Sequence, residues 1–285
     1  MRLGITGRKG SVYLVVLLVM VGSLSLVSSL QQVLLRRSRI LAQQQTEAQL
    51  RTALLLGMQQ AGQMLLEDDD LSVDTLQDPW MEPREFVSSD GVQLRIQIQD
   101  AQTRLNLNHL RLPGLSFRWS GVLESLMQEA GFEPDPEWFR RLDAQLEEEE
   151  VWFENTDLLS LILPEAGDFV GGTDLLTALP HPDSRPLPLN LNTVRPEVLA
   201  AVLAPSLQGW TQTILETRDQ SPIRSVDSLI NTLPPPVQTA LREVFSVRSD
   251  WMEARLLAQK EETVRSLRVL FRRSAGNVEV MRCQW

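Results

Sequence analysis

Four consecutive carboxylates, Glu147 to Glu150, are the densest set of groups in this sequence that could exchange protons. Paired carboxylates can divide the roles of general acid and base. Four in a row on a helix point in different directions, so the run reads as a solvated face. Glu67-Asp68-Asp69-Asp70 offers oxygens of the kind calcium takes. Its simpler reading is a solvated exit from a helix; calcium stays possible, but no metal ligands are assigned. His109 stands beside Asn108 and His181 between two prolines, without His-x-x-x-His or His-Glu-x-x-His spacing. The sequence has no Gly-x-x-x-x-Gly-Lys loop and no Gly-x-Ser-x-Gly elbow. Cys283 is the sole cysteine, which excludes an intrachain disulfide. These residues predict no enzyme, no catalytic residue and no cofactor.

Two segments carry a repeated pattern instead: Arg104 to Leu110 (RLNLNHL) and Pro188 to Leu203 (PLNLNTVRPEVLAAVL). In each, Leu-Asn-Leu-Asn sets apolar side chains against amides. An extended piece can then dock while Asn106, Asn108, Asn190 and Asn192 bond nearby backbone. In the second segment Thr193 is a candidate N-cap, with Pro196 tolerated in the first turn of the helix that follows.

The elements that must position these residues begin with a membrane segment. A short basic head, Met1 to Gly10, precedes an uncharged stretch from Ser11 to Leu35. That exceeds the 7–15 residues of a signal-peptide core and the roughly 20 needed to span a bilayer as a helix. Leu50, Leu54, Met58, Ala61 and Leu65 then recur at helical spacing, so one helix is expected from about Val12 to Leu66. Asp90-Gly91 opens a strand in which Val92, Leu94, Ile96 and Ile98 alternate with polar residues. Three more β-rich pieces follow Ala254, split by Lys260-Glu261-Glu262 and by Ser274 to Asn277. Between them, roughly 110–245 reads as a helical, proline-punctuated insertion. Gly131 serves as a helix stop, and the segment from Gly171 to Leu179 as a loop leading into a helix. The fold class is α+β: a long transmembrane and stem helix, a small antiparallel sheet and a large helical insertion.

The net charge is −10, and three of the positive charges (Arg2, Arg8 and Lys9) lie in the head. So acidic a remainder repels phosphate backbones, whose binding relies on Lys and Arg, and nucleic acid is not an expected partner.

The basic head ending in Gly10, with an uncharged helix after it, resembles a type IV pilin-like leader. With the strand entering RLNLNHL, the later LNLNTVRPEVLAAVL and the basic C-terminal strands, the chain resembles the GspK-type minor pseudopilins of type II secretion. The resemblance implies cleavage after Gly10 by a prepilin peptidase and methylation of the new N-terminus at Ser11. It also implies a single-pass inner-membrane protein with a periplasmic head, whose partners are the I- and J-type minor pseudopilins and the inner-membrane secretion platform. Repeating pseudopilins carry glutamate at the fifth mature position; here that position is Val15, as in the family's tip subunit. Arg36, Arg37 and Arg39 lie just beyond the anchor, so its orientation rests on the resemblance alone. The divisions implied are a leader (1–10), a transmembrane helix (11–35), a stem and first part of the pilin-like domain (36–109), the insertion (110–245) and closing strands (246–285). The alternative is a membrane-anchored DNA-uptake protein. The stretch from Leu189 onward resembles helix-hairpin-helix modules, although the hairpin place, APSLQGW, lacks their Gly-x-Gly phosphate grip and any lysine.

Overall fold

The computed structural model describes residues 8–112, 114–149, 152–180, 185–203, 207–231 and 235–285. Helix α1 spans Arg8–Leu66 without a break, which at about 1.5 Å per residue is roughly 90 Å. Its N-terminal half stands bare: the most apolar window has a mean hydropathy of 2.3, and none of it is buried. Its other half is amphipathic, with Leu50, Leu54, Ala61 and Leu65 fully buried. The helix comes close enough to the sheet that a Cβ added at Gly57 would lie 3.0 Å from Leu94 Cδ2. Any larger side chain there would push the helix off the sheet or displace Leu94.

The sheet that receives α1 has five antiparallel strands in the order β1-β2-β7-β8-β9. They are β1 (Arg84–Val87), β2 (Gln93–Asp100), β7 (Trp251–Lys260), β8 (Thr263–Ser274) and β9 (Asn277–Gln284). The alternation expected in β2 is present: Leu94, Ile96 and Ile98 pack with Met252, Ala254, Leu256, Leu267, Val269 and Phe271 beneath α1. Strand β1 was not expected. All four of its residues are exposed, so it lacks the alternation that marks a half-buried strand. Gly91, at φ +78°, turns the chain from β1 into β2.

Between β2 and β7 the chain leaves the sheet to form a second, separate core around Leu107, Trp119, Leu123, Phe169 and Leu199. Its helices are α2 (Ser116–Glu129), α3 (Pro136–Glu149), α4 (Asp157–Ile162), α5 (Gly167–Gly172), α6 (Pro196–Leu203), α7 (Gln208–Gln220), α8 (Val226–Ile230) and α9 (Pro235–Val244). The expected stop at Gly131 is a Schellman ending of α2. Gly131 adopts φ +84°, Phe132 N–H donates to Met127 O at 2.8 Å, and Gly131 N–H donates to Gln128 O at 3.0 Å.

Two short parallel ladders tie the insertion together: β3 (Leu105–Asn106) with β4 (Leu176–Thr177), and β5 (Leu189–Asn190) with β6 (Phe245–Ser246). The first corrects an expectation. No helix begins between Gly171 and Leu179; that glycine lies in α5, and the chain then extends into β4. The backbone from Leu176 onward is claimed by partners outside it, since β3 pairs with Leu176 and Thr177 and Asn106 bonds both polar groups of Leu179.

Candidate functional site

Gly10 and Ser11 both lie within α1. Val15 is 60% exposed, as are its apolar neighbours along this part of the helix, and Arg36, Arg37 and Arg39 are exposed beyond them. From Val12 to Leu35 the exposed surface of α1 is uncharged and mostly apolar, with only serines, glutamines and Tyr13 as polar groups, so a lipid interior or neighbouring apolar helices are the environments it fits.

The asparagine motifs lie at the other end, where the insertion meets the sheet. All four asparagines are buried. Asn106 Oδ1 accepts from Asn108 N–H at 3.2 Å and from Leu179 N–H at 3.0 Å. Asn108 donates from Nδ2 to Phe153 O at 3.0 Å and to Leu179 O at 2.8 Å, and its Oδ1 accepts from Phe153 N–H at 2.8 Å. The second motif repeats the plan. Asn190 Oδ1 accepts from Asn192 N–H at 3.0 Å, and Asn192 bonds both Ile223 O (3.0 Å) and Ile223 N–H (2.8 Å). In each motif the first asparagine turns the chain, and the second stands in as a strand partner for a remote loop. The repetition follows from this, since a side-chain amide offers the same donor and acceptor as a peptide.

Thr193 does not cap the following helix. Helix α6 starts at Pro196, and the Thr193 hydroxyl donates instead to Asp100 Oδ2 at 2.5 Å. Asp100 Oδ2 also accepts from Ser249 Oγ at 2.5 Å and Asn190 Nδ2 at 3.2 Å, while Oδ1 accepts from Gln102 N–H at 2.7 Å. Burial pushes the Asp100 carboxyl up, against the pull of these four bonds. A hydroxyl beside a carboxylate could suggest nucleophile chemistry, but Ser249 is 0% exposed and Asp100 1%. Both side chains are turned into the protein and spent on each other and on their neighbours.

Beside this group Arg273 bonds Asp68 Oδ2 at 2.5 Å and also Asp74, with its guanidinium 5.9 Å from the Trp80 ring centre. Burial pushes the Asp74 carboxyl up to about 6, despite Arg273 and a 2.7 Å bond from Ser249 N–H. Asp68, Asp74 and Asp78 bring oxygens within 4.8 Å of one another, a set that could hold a cation. Arg273 already supplies positive charge to two of the three. Asp68 is therefore not part of a solvated helix exit, because its side chain is only 7% exposed.

These charged residues were missed, although a signal was present. In β2 the buried row Leu94, Ile96, Ile98 continues to Asp100, and in β8 the row Leu267, Val269, Phe271 continues to Arg273. A charge that extends an apolar row is a buried charge in need of a partner. A second missed pair, Arg104 Nη2 with Glu253 Oε2 at 2.7 Å, ties the insertion to β7.

Of the histidines, His109 is buried; its Nε2 accepts from Leu187 N–H at 3.0 Å and its ring lies 4.5 Å from that of Trp119. His181 and the side chains of 147–150 lie outside the described residues, as do 204–206 of the suspected hairpin. Helices α6 and α7, which flank that hairpin, pack together, and Arg218 of α7 donates to Val194 O at 2.7 Å.

No protein-family model matches the chain, and neither does any curated protein. Its fold matches that of a chain in the crystal structure of the GspK-GspI-GspJ complex from the type 2 secretion system of enterotoxigenic Escherichia coli. The TM-score is 0.66 at 18% identity, over 85% of this chain and 98% of that one. Over that part of its length the chain shares the fold of that chain, as the resemblance in the sequence implied.

Proposed function

We propose that the chain is a minor pseudopilin of a type II secretion system, held in the inner membrane by α1 with its head in the periplasm. One observation carries the reading: a single helix is bare and apolar over its first half and packs against the sheet over its second, within a fold shared with a chain of the GspK-GspI-GspJ complex. Such a helix can sit in the bilayer and then pack beside the matching helices of other pilin-like subunits without rearranging the head. A prepilin peptidase removes residues 1–10 and methylates Ser11. The I- and J-type minor pseudopilins and the inner-membrane platform are its partners, and together they start a pseudopilus that drives folded proteins across the outer membrane.

Val15 supports a place at the tip. A repeating subunit needs a carboxylate at that depth to neutralise the terminal amine of its neighbour, and an unpaired one in lipid is costly. A subunit with nothing above it works with an apolar residue there. Co-isolation of the full chain from detergent-extracted membranes tests the reading. Small pilin-like subunits should remain bound through washing; their absence, or retention of DNA, would refute it.

A further inference from the structure

On the face of the sheet turned away from α1 lies a shallow groove of about 610 Å³. Its walls include Arg95 from β2, Arg255 and Leu257 from β7 and Arg268 from β8, and it ends at Trp285, whose ring lies 5.2 Å from the Arg51 guanidinium of α1; three arginines and no acid line it. Arg255 stands directly opposite Arg268 in the β7–β8 register, a like-charge pairing that destabilises a sheet unless something compensates.

Compensation is incomplete. Glu253 is shared by Arg104 (2.7 Å), Arg255 (3.0 Å) and Arg268 (3.5 Å). Asp174 is shared by Arg104 (3.0 Å), Arg195 (2.5 Å) and Arg255 (3.5 Å). Two carboxylates thus serve four guanidiniums. Among the described residues Arg95 has only Glu85, at 4.0 Å. Burial works against the charge of Glu253, yet Arg104 and Arg255 hold its carboxyl below the usual range. It is already fully engaged. Arg95 and Arg268 keep 52% and 57% of their side chains exposed.

This positive charge is local. Residues 110–245 contain nine Arg or Lys against 21 Asp or Glu, whereas 246–285 contain eight against five, in a chain of net charge −10. A long polyanion on the groove would run onto acidic surface, while a short segment with spaced carboxylates would not.

We propose that this groove receives an extended acidic segment of a partner protein. Arg95 and Arg268 take its carboxylates through paired N–H donors, and its apolar side chains rest on Leu257, which is 41% exposed. The assignment stands apart from the secretion reading, because it rests on the charge and shape of this face alone.

Fluorescence anisotropy of the detergent-solubilised full chain tests it. The probes are a labelled peptide alternating glutamate with leucine, its lysine counterpart, and a short single-stranded DNA, at about 50 mM salt. The acidic peptide should bind, and the lysine peptide should not. Arg95→Glu with Arg268→Glu should weaken binding at least about tenfold, and Arg95→Gln with Arg268→Gln should weaken it less. Circular dichroism checks folding, and the glutamine pair serves as the reading if the glutamate pair does not fold. No binding of the acidic peptide, equal binding by wild type and both variants, or DNA bound as tightly as the peptide would each overturn the proposal.

Discussion

Asn108 holds Phe153 by both of that residue's backbone polar groups, donating to its carbonyl at 3.0 Å and accepting from its N–H at 2.8 Å. Asn192 holds Ile223 in the same way and at the same two distances. The two loops so held, one before α4 and one before α8, are far from the asparagines in sequence and, among the described residues, have no strand partner at these positions.

Asn108→Ala and Asn192→Ala should each destabilise the protein by about 2–4 kcal/mol, because each leaves a buried N–H and a buried carbonyl unpaired. Asn192→Asp keeps the acceptor but turns a buried, unpaired carboxylate oxygen toward Ile223 O, so it should cost at least as much as alanine at neutral pH. Denaturant unfolding of the solubilised full chain measures all three. A loss under about 0.5 kcal/mol for the alanine variants would show that water replaces the amide.

Arg273→Ala should cost about 3–5 kcal/mol, since Asp68 and Asp74 would remain buried without their counter-charge. The sign of its pH dependence follows from Asp74. With its folded pKa pushed up to about 6, above a usual value near 3.9, Asp74 favours the folded state below about pH 4. That contribution is lost as pH rises through 6. Asp74→Asn should therefore flatten the stability profile between about pH 4 and 6. The penalty of Arg273→Ala should be largest above pH 6 and shrink toward pH 4, where Asp74 protonates. Parallel profiles for wild type and Asp74→Asn would contradict this.

Processing should remove Met1 to Gly10 and leave Ser11 as the methylated N-terminus, read by intact mass of the membrane-extracted protein. Gly10→Val should remain uncut yet still insert, because it leaves the uncharged helix intact. A mature protein that keeps Met1, or one cut near residue 30, would contradict the pseudopilin reading.

If the subunit sits at the tip as proposed, Val15→Glu places a charge in the apolar length of α1 with no amine to meet it, at a cost of about 2.5–3.5 kcal/mol by comparison with other charged residues in a bilayer. Secretion by the variant should be reduced or unchanged. Increased secretion would argue that a neighbour's amine is waiting at this depth.

Much of the architecture could be read in advance because it follows from periodicity. The uncharged run of α1, its shift to Leu50, Leu54 and Leu65, and the alternation of β2 each report which face is buried. Strand β1 was illegible because its exposed residues have no buried face to report. The helix expected after Gly171 failed for a different reason: Leu179 is bound by Asn106, 73 positions earlier in the chain, and local sequence does not show such a partner. The Asn repetition was visible, but its targets Phe153 and Ile223 were not. Asp100 and Arg273 were visible as charges ending apolar rows, and only the fold shows that both rows end beside Ser249.

The most direct measurement of the tip assignment is electron microscopy of overproduced pseudopili with a label on the insertion. The label should appear at one end of each filament, or be absent from the shaft. Regular labelling along the shaft would contradict the assignment, because a repeating subunit would then carry this head, and Val15 would sit where each neighbour needs a carboxylate.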